Sequence, residues 1–507
     1  MEGTKYTTKE AILKRAQEIK GIPLREVDST GRLSTGKGAI GTVVEESWFG
    51  YTPNSKSEPD FPEAGVELKV TPYIKSHGNI RAKERLVCNI INYMEEYDKT
   101  FHTSTFWHKC NTMLLMSYEH LPNTPKGDFT IDEAVLFSFP EEDLVIIEHD
   151  WKTIMDKVRN GKAHEISEGD TLYLAACTKG ATALSVRPQP FSDIPAKQRA
   201  YSLKVSYMTQ ILNSYIFGTA QNECVVKDWR RLITSSFEDY VTQKLSPYYG
   251  ITIQELRDKF NVDTTAKNII ELLLGKMLGI SGKISNTEEF KKAGIVPKTV
   301  RLMPNGNSKE SMSFPTFDFI NLCKESWEDS ELYSCLSSTR FMFVIFQSEY
   351  TDNPSQMVQS CGVAGHKRKN QQSVNGVTDF KFKGVCFWNM PVDDLEEVHR
   401  VWKRTVKIIK DGVVLTKTAS GMSNNLPKSS ESRVAHVRPH GRNSNDKLPL
   451  PDGRMMTKQC FWLNGSYIAQ QVSKNISRYS YSHSIPDVKG LMVAEDSASH
   501  WTKKDGE

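Results

Sequence analysis

The chain has 507 residues, of which 38% are hydrophobic, 10% aromatic and 25% charged, values of a globular protein long enough for two to four cores. Sixty-five basic residues against 61 acidic ones leave a net charge of only +4, so a polyanionic partner must be met by local patches rather than by a global field. No apolar run approaches the roughly 20 residues that cross a bilayer, and nine cysteines without a CxxC pair argue against a zinc site or a disulfide framework; a cytoplasmic protein with free thiols is the expectation.

The N-terminal stretch MEGTKYTTKEAILKRAQEIKG has no apolar leader segment and reads as an amphipathic helix. Thr7 and Glu10 stand in capping-box spacing, with Ile12, Leu13, Ala16 and Ile19 on one face. Next comes DFPEAGVELKV (60–70). Strand alternation in GVELKV puts Glu67 and Lys69 on one face and Val66, Leu68 and Val70 on the other, and the turn-like FPEAG brings Asp60 back beside Glu67. Two such carboxylates suit a hard divalent cation, which polarises a phosphoryl oxygen and activates water, while the lysine orients water or steadies developing charge. By composition alone a D…ExK pattern occurs about a few times in a chain of this length, and it equally describes a surface strand carrying an ion pair. His108, His120 and His164 are isolated in sequence and read as solvent-facing or hydrogen-bonded. Two basic runs, His366 to Lys369 and Arg433 to Arg442, lie in Gly/Ser/Asn-rich surroundings and read as surface loops.

The chain repeats itself. FSFPEEDLVIIEHDWKTIMDKVRNGK (137–162) matches FWNMPVDDLEEVHRVWKRTVKIIKDG (387–412): Pro140, Asp143, Leu144, Trp151, Lys152 and Gly161 face Pro391, Asp394, Leu395, Trp402, Lys403 and Gly412 at one offset of 251. AGVELKVTPY (64–73) likewise resembles AGIVPKTVRL (293–302), and KQRAYSLKVSYMTQ (197–210) resembles KQCFWLNGSYIAQ (458–470). The order is that of a tandem duplication, with its junction near 215–260 and a long polar loop between Ser348 and Asp379. Strand-like runs (AVLFSF, TLYLAA, RFMFVIF) and amphipathic helical runs in each copy predict a sheet flanked by helices.

DFPEAGVELKVTPY resembles the motif of the MutH family and of the related type II restriction endonucleases that cleave at GATC. The likeness continues in order from about Thr8 to Leu212. KGAIGTVVEESWFG (37–50) is similar to the family's first helix, which implies Lys37 near DNA and Glu45 as a further acidic member of the active site. Glu45 read alone is an ordinary exposed helical carboxylate. WHKCNTMLLMSYE (107–119) places a second catalytic lysine at Lys109, and YLAACTKGA (173–181) a base-reading loop with Lys179. Where MutH has Arg-Pro before that lysine this chain has Cys177-Thr178, so guanine contact passes to Arg187 or elsewhere, arginine being the usual bidentate reader of guanine. RAYSLK, with Arg199, aligns with a segment in which MutH carries a tyrosine that senses adenine methylation. Ser202 stands there instead, which favours cutting GATC regardless of methylation.

Aligning the copies on their Ala-Gly pairs sets Val296 against Glu67, Pro297 against Leu68 and Gly275 at or beside Glu45, leaving only Lys298 opposite Lys69. VAHVRPHGRN (434–443) nonetheless supplies Arg438, Arg442 and His440 in the recognition region. The expectation is an α/β chain of two tandem restriction-endonuclease-like domains. Residues 1–220 would be catalytic, 221–260 connecting helices, and 261–507 a degenerate unit that binds a second DNA site as an allosteric effector or merely packs as a scaffold. The resemblance implies a magnesium-dependent enzyme cutting both strands before the G of GATC with 5′ overhangs, as a dimer on DNA or by two successive nicks. The alternatives are a MutH-like nicking enzyme, against which the duplication and Ser202 count, and an inactive DNA-binding module, against which Asp60, Glu67 and Lys69 count.

Overall fold

The computed structural model describes residues 6–34, 36, 38–53, 58–76, 78–180, 185–219, 222–263, 268–350, 379–418 and 421–482. Lys37 and the run His366 to Lys369 lie outside the described residues. The first helix spans Lys9–Glu18 and buries Ile12 and Ala16. Its cap falls one residue later than the expected Thr7: Thr8 has the extended backbone of an N-cap, and its hydroxyl accepts a hydrogen bond from the Ala11 amide at 3.2 Å.

Nine strands follow: β1 (Glu67–Ser76), β2 (Asn79–Ala82), β3 (Leu86–Ile90), β4 (Thr112–Glu119), β5 (Glu133–Ser138), β6 (Leu174–Thr178), β7 (Val186–Gln189), β8 (Ser192–Lys197) and β9 (Arg199–Leu203). They make a mixed sheet of order β2-β1-β4-β5, in which β1 and β4 run parallel, a smaller sheet β3-β9-β6, and the hairpin β7-β8. In β4 the run Thr112–Ser117 is buried on both sides, as a central strand with both faces covered must be. Leu114 and Met116 face a cluster with Ile12, Val43 and Phe61 from the N-terminal segment, while Met113 and Leu115 face Trp151 and Ile154 of the helix Glu141–Arg159.

The second half repeats this plan with β10 (Val296–Leu302), β11 (Met312–Phe317), β12 (Phe341–Gln347), β13 (Lys381–Trp388), β14 (Leu415–Thr418), β15 (Gly421–Asn424), β16 (Ala435–Pro439), β17 (Lys447–Pro449), β18 (Met455–Thr457) and β19 (Gln459–Leu463). Sheet β10-β12-β13 repeats β1-β4-β5, a parallel pair followed by an antiparallel one, β11-β19-β16 again forms the smaller sheet, and β17-β18 again a hairpin. The expected mixed sheet flanked by helices is thus present twice. Even a buried hydrogen bond recurs: the Tyr207 hydroxyl donates to Asp143 at 2.9 Å and the Tyr467 hydroxyl to Asp394 at 2.7 Å.

The halves share an interior. The cluster that holds Met113, Trp151 and Tyr207 runs on through Phe237, Leu273 and Phe290 of the intervening helices to Met342, Val344 and Phe382 of the second sheet. Lys292, 2% exposed, sits inside this junction with its ammonium 2.7 Å from Asp143 and 2.9 Å from Glu288. Lys204 donates to Thr171 and, at 3.5 Å, to the Ser338 carbonyl across the boundary, and Asn389 donates to Asp170 at 3.0 Å.

Replacing Lys292 by Ala strands the Asp143 carboxylate in an apolar interior, which costs about 3–5 kcal/mol. Chemical denaturation of the full chain should show that loss, and Lys292→Met combined with Asp143→Asn should recover most of it, since the uncompensated charge is then gone.

Candidate active site

The turn before β1 is built so that the chain can double back within six residues. Phe61 and Val66 form a bridge, with the Phe61 amide donating to the Val66 carbonyl at 2.9 Å, and Gly65 takes φ +62°, a conformation that a side chain resists. Asp60 is thereby returned to the start of β1, as the spacing predicts. Its amide donates to Glu67 at 3.2 Å and its carboxylate accepts from the Leu68 amide at 3.0 Å.

Glu67 is 1% exposed. Its carboxylate meets the Lys69 ammonium at 2.6 Å and that of Lys109 at 3.5 Å. Lys109 comes from the helix Thr105–Cys110, started by Ser104, whose hydroxyl accepts from the Trp107 amide. Lys69 also reaches the Cys88 carbonyl of β3 at 3.4 Å. Glu45 joins the group from a π-helical turn, Val44–Trp48, that ends the helix Ala39–Val43; such turns are common at functional sites.

The electrostatics follow from that crowding. Burial pushes the Glu67 carboxyl up, against the pull of Lys69. Burial also works against the Lys69 ammonium, yet Glu67 beside it holds it above its ordinary value. Glu45 is pushed up to about 7 by burial and then by the like charges of Asp60 and Glu67. Three carboxylates therefore face two ammonium groups, although among the described residues no three His, Cys, Asp or Glu side chains already converge as a metal-binding group.

The other sequence-predicted residues are dispersed. Lys179 is half-buried at the end of β6 and Arg187 half-exposed in β7. Arg199, expected at DNA, is 5% exposed and donates to the Ala176 and Ile166 carbonyls, and Ser202 is 1% exposed, its hydroxyl donating to Ala175 at 3.4 Å. Both side chains are buried here and bond to carbonyls of the protein itself. Arg438 and Arg442 are exposed. His164 is hydrogen-bonded to Gln189 at 3.0 Å.

In the second half β10 starts at Val296 where β1 starts at Glu67, and their parallel partners are Phe341 and Met113. Four residues before those partners stand Ser337 and Lys109. Glu289, at Asp60's place in the repeat, lies on the helix Glu288–Ala293 and is turned to accept from the Val225 and Val226 amides at 2.9 and 2.8 Å. That feature was missed in the sequence because the repeat predicts position and not side-chain direction. The Cys88 carbonyl beside Lys69 leaves no sequence signal either.

A buried acid and two lysines thus stand beside a returned aspartate at the start of a strand in a mixed sheet. The profile of the DNA mismatch repair enzyme MutH matches residues 49–150, which hold Asp60, Glu67, Lys69 and Lys109. The type II restriction enzyme Sau3AI of Staphylococcus aureus is 39% identical over 509 residues, covering 92% of this chain and 99% of its own. The DNA mismatch repair proteins MutH of Shewanella woodyi (strain ATCC 51908 / MS32) and of Escherichia coli (strain SMS-3-5 / SECEC) are 28% and 29% identical over 221 and 217 residues, which is 42% and 40% of this chain and 93% and 92% of theirs. The chain belongs to the MutH-related family of type II restriction endonucleases.

Glu45→Gln removes one of three crowded carboxylates. A carboxyl whose folded pKa lies above its unfolded value costs stability as pH rises between the two, here from 4.5 to about 7. Without divalent cations, melting temperatures of Glu45→Gln and the parent should coincide below pH 4.5. They should diverge in the variant's favour up to pH 7 and stay apart by a few degrees above it.

Proposed function

We propose that the chain cuts both strands of duplex DNA at GATC, before the G, with magnesium held by Asp60 and Glu67. What carries the reading is the Glu67 carboxylate, which accepts from the Asp60 amide at one oxygen and meets Lys69 and Lys109 at the other. The donor set suits a hard cation: all three acidic side chains offer oxygen, and their charge exceeds that of the two lysines. Bound there, the ion would polarise the scissile phosphate and lower the pKa of the attacking water. Lys69 and Lys109 then hold charge that develops on the phosphate and position water, while Glu45 is poised as a third carboxylate able to take a proton near neutrality. Lys37, Lys179 and Arg187 serve duplex binding, Arg187 taking the guanine contact that Cys177 has no group to make.

Residues 1–220 form the catalytic unit in this reading, joined through 221–260 to a non-catalytic unit, 261–507. The second unit has Val296 and Ser337 where the first has Glu67 and Lys109, yet exposes Arg438 and Arg442. It binds a second GATC site and biases the first unit toward its active state, a coupling typically worth about 1–3 kcal/mol. Double-strand cleavage requires two protomers on the palindrome or two successive nicks.

Glu67→Ala should lower magnesium-dependent plasmid cleavage about a hundredfold or more, and the parent's ends should map to GATC with four-base 5′ overhangs. Persistent cutting by the variant, or ends elsewhere, would sink the assignment. Plasmids with two GATC sites should be cut faster per site than plasmids with one, and a short GATC duplex should stimulate the latter; equal rates without stimulation would remove the effector role.

A further inference from the structure

The two small sheets present different chemistry at matching positions. In the first, the paired strands bring together Ala175 with Ser202 and Cys177 with Ala200, all at most 2% exposed. In the second, the same pairings are His436 with Trp462 and Arg438 with Cys460. Ala435, Val437, Phe461 and Leu463 point into the core, so strand alternation puts His436, Arg438 and Trp462 on the opposite face.

That face is ordered in layers. Asn464 donates to the Ser432 carbonyl at 2.7 Å and contacts His436 Nδ1 at 2.6 Å. His436 lies nearly parallel to Trp462, ring centroids 6.4 Å apart and planes at 16°. The Arg438 guanidinium stands 4.4 Å from the Trp462 ring centroid, and His440 meets that ring edge-on at 5.1 Å. Among the described residues the indole N–H meets no hydrogen-bond partner, and ring contacts orient Trp462. Beyond it the loop carrying Arg442 is stiffened by the Arg442 amide on Asp446 at 3.0 Å and by Lys458 on Asp446 at 2.8 Å. An arginine stacked on an aromatic ring loses rotational freedom while its fork of N–H donors stays available, the geometry that reads guanine O6 and N7.

We propose that Trp462 is the positioning residue of a guanine-reading fork in which its ring carries the Arg438 guanidinium, so that the second unit recognises a guanine edge where the first has only Cys177 and Ser202. The inference rests on the reading of the second unit as DNA-binding.

Full-length protein carrying Glu67→Ala, which binds without cutting, is titrated with a fluorescent GATC duplex and with the same duplex containing 7-deazaguanine, which lacks the N7 acceptor. Two equivalents should bind, and the deaza substitution should weaken the second about tenfold. Adding Trp462→Leu, which keeps apolar bulk without a π face, should shrink that difference to twofold or less while leaving the first equivalent unchanged; Trp462→Phe should restore it. Full discrimination in Trp462→Leu overturns the role of Trp462 and leaves the second site standing. A single equivalent in the Glu67→Ala parent overturns both.

Discussion

A carboxylate that is 1% exposed between two ammonium groups is the constraint around which the first half is arranged. Such a group is tolerable only where its partners are fixed, because an unpaired charge in a low dielectric is far costlier than the pair is favourable. The parallel β1–β4 pairing fixes Glu67 and Lys69, the helix Thr105–Cys110 fixes Lys109, and the bridge between Phe61 and Val66 fixes Asp60. Apolar layers on both faces of the sheet hold those elements still. The same surroundings that make the site rigid also crowd its carboxylates, so Glu45 binds a proton near neutrality. Stability is given up locally where charge is wanted.

Much of this was legible in the chain because it is local or periodic. Alternation put Glu67 and Lys69 on one side of a strand, the Pro and Gly of FPEAG announced a reversal, and similar segments recurring in the same order, six identities of one pair at a single offset, announced the duplication. What escaped depends on contacts distant in sequence. Arg199 and Ser202 have the residue types of a DNA contact but are buried and bond to carbonyls. Glu289 occupies an acidic position of the repeat while facing Val225 and Val226. The cap on Thr8 instead of Thr7 is a displacement within the ordinary uncertainty of helix ends.

The repeats also show which features a fold of this kind keeps when its chemistry diverges. The Tyr–Asp hydrogen bond persists in both halves, but its cation does not: Asp143 meets Lys292 from the intervening helices, whereas Asp394 meets Arg433 from its own half. The first pairing fastens the halves together and the second closes one half on itself. The shared strand order and the long helix after the last strand of the main sheet, Glu141–Arg159 and Val392–Asp411, are retained, while Glu67 and Lys109 give way to Val296 and Ser337.

Because one apolar interior runs from Trp151 through Phe290 to Phe382, the duplication did not yield two beads on a string. A fission between the copies would open a greasy wound on each, so recombination that swaps one copy for a foreign relative must bring matching surface with it. Descent is therefore tied to the pair: substitutions on either side of the seam are tried against the other copy, and the two evolve as a single unit of inheritance.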